Sequence, residues 1–344
     1  MSCIAVDAYG GDHAPEEIVR GAIKALEEVK DLTIVLTGYK EKLRRLLEGF
    51  DYDHKRLIIE DSSEVVGMMD KPSLALRKKD SSMAKGIRLV KENRADAFVT
   101  AGNSGASMAF SMFILGRIKG VTRPAIATLL PALKGHVLLV DAGANTDCKP
   151  THLMEFALMG AVYMKYMVGI KSPRIGILSN GSEPGKGNQL TLRTYDMLSR
   201  SRLNFVGNVE GDEIYKAKAD VVVCDGFLGN IVLKTSESVP QVIAEFLKEE
   251  IKKSIWYKIG FLLAKPAFRL LKNKVDYSEF GGAPLLGVNG TCIISHGRSN
   301  ATAIKNAILK AIRFSKQKIN DKIESALENC TVLQKYRKVE KDEG

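Results

Sequence analysis

Residues 4–17 read IAVDAYGGDHAPEE. A short apolar strand runs into a double-glycine turn carrying Asp12 and His13, and a helix begins at Pro15. Pro15 suits the first helical position, and Glu16 and Glu17 complement the positive end of the helix dipole. A strand–glycine–helix junction presents unpaired backbone N–H groups, and Gly10 and Gly11 let a small anion approach them. One such junction is ordinary turn chemistry. The construction recurs at VTAGNSGAS (99–107), LVDAGANTD (139–147), ILSNGSEPGKGN (177–188), VVCDGFLGN (222–230) and IISHGRSNA (293–301). In open α/β sheets such loops gather at the carboxyl ends of strands, where ligands bind, so the set is expected to converge on one site. The alternative is six plain connections.

The chain has 344 residues, 45% of them hydrophobic, enough for one large or two ordinary domains. Strand and helix alternate throughout, which predicts a parallel or mixed sheet covered on both faces. Strands are expected at 3–7, 32–37, 57–60, 96–100, 125–130, 136–141, 174–178, 204–206, 220–224 and 291–295. Helices are expected at 15–30, 40–48, 72–92 with a break, 104–116, 150–168, 188–200, 211–217, 229–264 and 299–318. Ile18, Ala22, Ala25, Leu26 and Val29 form the core stripe of the first helix. No linker divides residues 1–320. The polar, charged segment 321–344 is expected to fray as a tail.

Five cysteines lie scattered with no paired spacing, against a disulfide framework or a CxxC metal site. Cys148 alone stands beside a candidate loop, and no histidine is evidently paired with it. No leader precedes the first strand, so a cytoplasmic protein with reduced thiols is expected. The net charge of +11 favours acidic partners. Aromatics are not interleaved with the basic residues, so no nucleic-acid partner is expected.

Residues 241–274 stand apart, with eight Lys/Arg against three Glu. Ile243, Leu247, Ile251, Ile255, Ile259 and Leu263 recur every four residues, and Pro266 is expected to kink the chain. The longest apolar run is too short to span a bilayer. The segment fits an interfacial membrane helix, or a core or dimer helix with a solvated basic face.

The glycine loops lack a GxGxxG fingerprint in the right place, a Walker lysine motif, a GxSxG elbow and an HExxH pair. What they hold is Asn103, Ser104, Asn145, Asn180, Asn188 and Asn230, with Lys186 the lone cation inside a glycine loop. That inventory suits holding phosphate and polarising a carbonyl rather than covalent catalysis.

AVDAYGGDHAP (5–15), DKPSLALRKKDSSM (70–83), TAGNSGA (100–106), RPAIATLLP (123–131), GANTDCKP (143–150), KGN (186–188), NVEG (208–211), VVVCDGFLGN (221–230), FGGAPLLGVNG (280–290) and AIKNAI (303–308) resemble the PlsX family in order along the chain. Those enzymes convert fatty acyl–acyl carrier protein and inorganic phosphate into acyl phosphate. The resemblance implies an isocitrate/isopropylmalate-dehydrogenase-like α/β/α sandwich with one mixed, mostly parallel sheet and two intertwined subdomains. It also implies a homodimer, peripheral attachment to the cytoplasmic membrane, and a role for 240–275 in one or both. Tyr9 stands where the family usually has Met. Ser182 and Pro184 depart from a usually more acidic loop, and Thr291–Cys292 and Ile294–Ser295 from the usual residues before His296–Gly297.

On this reading Lys186 and Asn230 are the leading catalytic residues, with His13 or His296 as proton donor to the departing thiolate. Asp7, Gly10, Gly11, Asp12, Asn103, Ser104, Gly105, Asn145, Asn180, Asn188, Asp225 and Gly229 are expected around the substrates. Ile255, Trp256, Ile259, Phe261, Leu262 and Leu263 are expected to meet the membrane. No cofactor or metal is expected. The rival readings are a CoA-dependent phosphotransacetylase, a dehydrogenase on the same fold, and a non-enzymatic membrane scaffold.

Overall fold

In the computed structural model, which describes residues 1–275 and 281–342, strand and helix alternate from the first residues. The first half holds β1 (Ser2–Asp7), α1 (Glu16–Glu28), β2 (Leu32–Gly38), α2 (Lys40–Leu47), β3 (Leu57–Asp61), α3 (Pro72–Ala75), α4 (Ser82–Lys91), β4 (Ala97–Thr100) and α5 (Ser104–Ile114). There follow β5 (Ala125–Pro131), β6 (His136–Val140), α6 (Pro150–Tyr163), β7 (Arg174–Leu178), α7 (Gln189–Ser199), β8 (Asn204–Val209), α8 (Gly211–Tyr215) and β9 (Val221–Val223). The chain ends with α9 (Gly226–Lys252), α10 (Ile255–Val275), β10 (Ala283–Leu286), β11 (Cys292–Ile294), α11 (Ala301–Lys316), α12 (Ile319–Glu328) and α13 (Thr331–Asp342).

All the strands join one sheet in the order β3-β2-β1-β4-β11-β10-β5-β6-β9-β7-β8. β3, β2, β1, β4 and β11 run parallel to one another, as do β6, β9, β7 and β8. Antiparallel pairings of β11 with β10, β10 with β5 and β5 with β6 join the two sets. Three reversals leave the two parallel sets pointing in opposite directions.

Strand side chains alternate between faces, and three buried clusters follow from that. Ile4, Val6, Ala97 and Val99 face α1 and α11, where Ile18, Ala22, Ile304 and Ile308 are buried. Leu138, Val140, Val221 and Val223 face α6 and α12 on the same side of the other half. Ala5, Phe98, Leu139 and Val222 point to the opposite side with Met83, Ile87 and Phe110 of α4 and α5. The expected three-layer α/β/α arrangement follows. A Cβ at Gly21 would lie 2.5 Å from Ile304 Cβ, so α1 and α11 pack at backbone distance through that glycine.

Three expectations need correction. The helix expected over 229–264 is two helices. α9 ends at Lys252, and Ser254 Oγ accepts the Trp256 N–H at 3.3 Å, acting as a cap for α10. Pro266 lies inside α10, which runs on to Val275. The expected 321–344 tail, whose last two residues lie outside the described ones, forms most of α12 and α13. Ile319, Ile323 and Leu327 recur every fourth residue and are buried against α6 with Leu333; their charged neighbours mask the stripe in overall composition. β10 was not expected at all.

Leu327→Ala is therefore expected to destabilise the protein by about 2–5 kcal/mol, as burial of a leucine predicts. Urea unfolding measures this, and an unchanged midpoint would show that the C-terminal helices do not belong to the core.

Candidate active site

The opposed strand directions divide the six glycine loops. Those after β1, β4 and β11 (8–15, 101–103, 295–300) open at one end of the sheet. Those after β6, β7 and β9 (141–149, 179–188, 224–225) open at the other. Residues of both sets nevertheless border one cleft, Ser104 and His296 from the first and Gly143 from the second, and one helix runs along it between the two ends. α9 begins beside the β6 loop, where Gly226 N donates to Asn145 O at 2.7 Å. A helix rises about 1.5 Å per residue, so Glu237 lies three turns further on, and its Oε2 is 3.7 Å from His296 Nε2 in the β11 loop.

That start is set by close packing. A Cβ at Gly229 would lie 1.8 Å from Asp141 O, and one at Gly226 would lie 2.7 Å from Asn145 N. Asp225 caps the helix, accepting Leu228 N at 2.9 Å. Asp141 is fully buried and accepts from the N–H groups of Ile126, Gly143, Ala144 and Asn145 and from the Asn145 amide. Burial nevertheless holds its pKa above the usual range.

Along α9 a cleft of about 780 Å³ opens over the sheet centre. Asn230, Lys234, Glu237, Ser238 and Gln241 form one wall, at the spacing of a single helix face. Gly143 and Ser104 border it, and Gly282, His296, Arg298 and Ser299 close its far end. Asn230 is exposed beside Gly143, whose φ is +138°. Lys234 Nζ lies 2.9 Å from Glu237 Oε2. The Arg298 N–H donates to His296 Nδ1 at 3.1 Å, which leaves Nε2 as the protonated nitrogen of the neutral ring, towards Glu237. Burial raises the Glu237 pKa, but hydrogen bonds from His296 and Lys234 outweigh it and hold the carboxyl below its ordinary range.

Of the residues singled out in the sequence, Ser104, Asn230 and His296 line this cleft. Several others build its frame. Asp7 is buried and accepts from Ser82 Oγ at 2.6 Å and Thr100 Oγ1 at 2.9 Å; burial raises its pKa. Gly10 packs against Thr100 and Gly102, and Asp12 N donates to Gly297 O, tying the first loop to His296. Asn103 caps α5 and donates to Met68 O and Asp70 O. Gly105 packs on Pro72. Asn145 is buried between Asp141 and Pro124 O, and Asn188 caps α7. His13, Asn180 and Lys186 are exposed and do not line the cleft. Lys186 sits in a loop that Asn208 holds through Glu183 O. Cys148 is protonated: burial pushes its thiol up to about 12, which argues against a nucleophile. Among the described residues no group of three or more His, Cys, Asp or Glu side chains is placed to hold a metal.

Sequence reading missed Lys234, Glu237 and Arg298. The first two were hidden in an amphipathic helix. Arg298 was quoted within SHGRSN, but nothing in the loop marks it as facing the same space as Asn230.

Residues 2–322 match the family model described as fatty acid synthesis protein. The chain is 49% identical over 331 residues to a phosphate acyltransferase of Dictyoglomus thermophilum, covering 95% of this chain and 98% of that one. It is 51% identical over 321 residues to a phosphate acyltransferase of Syntrophotalea carbinolica, covering 93% and 92%. The chain belongs to this family. Its fold is shared with a phosphotransacetylase from Streptococcus pyogenes, with a TM-score of 0.58 at 20% identity over 92% of this chain and 94% of that one. A 4-hydroxythreonine-4-phosphate dehydrogenase from Klebsiella pneumoniae shares it with a TM-score of 0.51 at 15% identity, over 92% and 98%. The dehydrogenase-like sandwich implied by the sequence is therefore the observed fold.

The Glu237 contacts give a pH dependence. A carboxyl depressed in the folded state contributes stability above its unfolded pKa of about 4.3 and loses it as pH falls through the folded value. Wild type is expected to exceed Glu237→Gln in unfolding free energy near neutrality, with the gap closing in acid. A pH series of urea melts measures it, and a gap independent of pH would remove the ionised contact.

Proposed function

We propose that this family member transfers a fatty acyl group from acyl–acyl carrier protein to inorganic phosphate, giving acyl phosphate. The observation that carries the reading is the cleft along α9. It holds two cations, Lys234 and Arg298, an exposed amide at Asn230, and a histidine beside a carboxylate.

Phosphate is a competent nucleophile and a thioester an activated donor, so positioning and electrostatics are the main requirements. Arg298 and Ser299, in the loop before α11, would bind phosphate, the guanidinium offering a fork of donors. A phosphate oxygen attacks the thioester carbonyl, and the carbonyl oxygen becomes an oxyanion to which the Asn230 amide donates. The C–S bond then breaks. The departing thiolate takes the Nε2 proton of His296, the attacking hydrogen phosphate returns its own proton to that nitrogen, and Glu237 orients the ring. A CoA thioester would satisfy the same chemistry; the basic amphipathic hairpin favours a long acyl chain handled at a lipid surface.

Membrane attachment and pairing of two copies belong to this proposal. No helix among the described residues is long and apolar enough to cross a membrane. α10 packs on α9 and leaves Trp256 76% and Leu263 79% exposed, with Ile255, Ile259 and Leu262 beside them. Phe261 is half-buried, its ring centroid 5.0 Å from that of Phe268. An interfacial helix needs such apolar side chains with lysines flanking them, here Lys258 and Lys265. The exposed Phe227, Ile231 and Phe246 of α9 offer a second apolar face for a dimer.

Acyl phosphate formation, trapped with hydroxylamine, tests the reaction. Asn230→Ala is expected to lower kcat about a hundredfold or more, the range for loss of an oxyanion donor. Arg298→Ala is expected to raise the KM for phosphate more than Lys186→Ala does. The reverse order would make the 179–188 loop the phosphate site, as the sequence suggested. Replacing Ile255, Ile259 and Leu263 by Gln is expected to release the protein from anionic vesicles without changing its size on gel filtration. A monomeric or aggregated variant would assign those side chains to the dimer instead.

A further inference from the structure

A second cavity, of about 930 Å³, adjoins the cleft and takes no part in the chemistry above. Arg117, Arg123, Lys149, Arg337 and Lys338 line it, and no Asp or Glu does. Two carboxylates lie close by. Glu155 is fully buried and already taken by Arg337 Nη2 at 2.6 Å and by Thr122. Asp147, in the loop before Lys149, does not line the cavity. Arg123, Lys149 and Lys338 form no ion pair with a carboxylate among the described residues. His152, in the same wall, reports the local field: burial first, then Arg123, Lys149 and Arg337, lower its pKa to about 4. The ring is neutral and its Nδ1 accepts the Lys149 N–H, so the excess charge belongs to the Lys and Arg side chains.

Three elements pass from the cleft into this cavity. On α5, Ser104 borders the cleft while Met108 and Met112 line the cavity, and all three share one helix face. The two sites are therefore about 12 Å apart along that helix. Ile126 of β5 lines the cleft, and Arg123 before it lines the cavity. Gly143 lines the cleft, and Asn145 two residues later lines the cavity. Apolar surface accompanies the charge: Met112 is exposed, and Phe113 beside it is 79% exposed. A free polyphosphate gains nothing from Met and Phe, whereas Met, Phe and Arg are what protein interfaces collect.

We infer that the basic cavity of Arg123, Lys149 and Lys338, flanked by Met112 and Phe113, is where the carrier end of the acyl donor docks. The partner is an acidic protein surface whose tethered thioester runs along α5 into the cleft. This rests on the proposed acyl–carrier donor and names the part of the chain that recognises it. Opposite charges at the rim of such an encounter raise the association rate and lose their effect in salt.

The test is the full-length double variant Arg123→Glu/Lys149→Glu, assayed with acyl–carrier protein and with an acyl N-acetylcysteamine thioester that lacks the carrier. The expected result is a rise of about tenfold or more in the KM for acyl–carrier protein, as paired charge reversals at an interface produce. The KM for phosphate and turnover of the small thioester stay as in wild type. Raising salt is expected to weaken wild type towards the variant. Arg123→Gln/Lys149→Gln serves if the reversal does not fold, with a smaller rise expected. An unchanged KM for acyl–carrier protein overturns the assignment. Inhibition by tripolyphosphate that does not compete with acyl–carrier protein also overturns it, and gives the cavity to a free polyanion. Anisotropy of labelled carrier protein reads docking directly. Wild type that binds carrier but forms no acyl phosphate would sink the catalytic reading and leave this one standing. Wild type that turns over the small thioester, with carrier binding unaffected by the double variant, would do the opposite.

Discussion

Helix α9 approaches the end of β6 at backbone contact, and the working geometry of the molecule depends on that approach. Gly229 leaves no room for a Cβ against Asp141 O, and Gly226 leaves none against Asn145 N. Asp141 holds the opposing loop rigid by accepting a ring of N–H groups, an arrangement that makes a buried carboxylate tolerable. A larger residue at either glycine would lift the helix, and with it the face that carries Asn230, Lys234 and Glu237.

The sheet explains why a helix is needed for this task. Its two parallel halves point in opposite directions, with β10 and β5 between them. Loops at the carboxyl ends of the two halves therefore emerge at opposite ends of it. α9 starts at one end and reaches His296 at the other. α5 runs the opposite way, from Ser104 in the cleft to Met112 in the basic cavity. Between them these two helices border both the cleft and the basic cavity.

Many polar residues of the glycine loops serve construction. Asn103, Asn188 and Asp225 cap helices, Asp7 ties β1 to Ser82 and Thr100, and Asn145 joins Asp141 to α9. Each satisfies donors or acceptors that would otherwise be buried without partners. The polar groups that instead line the cleft are fewer and more exposed, among them Asn230, Lys234, His296 and Arg298.

The sequence by itself determined the α/β alternation, the core stripe of α1 and ten of the strands, because periodicity and apolar runs are local signals. It also carried the family, through long ordered motifs, and singled out Ser104, Asn230 and His296, which line the cleft. It did not reveal β10, a four-residue strand with glycines on both sides, or the Ser254 cap that splits the long helix. It placed Lys186 foremost because a cation inside a glycine loop looks like a phosphate ligand. Only the tertiary structure decided which loops share a space. That depends on strand direction across the whole sheet, which three antiparallel pairings reverse, and on a helix crossing from one end to the other. Lys234, Glu237 and Arg298 became neighbours through that crossing, and pairings between segments some sixty residues apart leave no periodic trace in a chain.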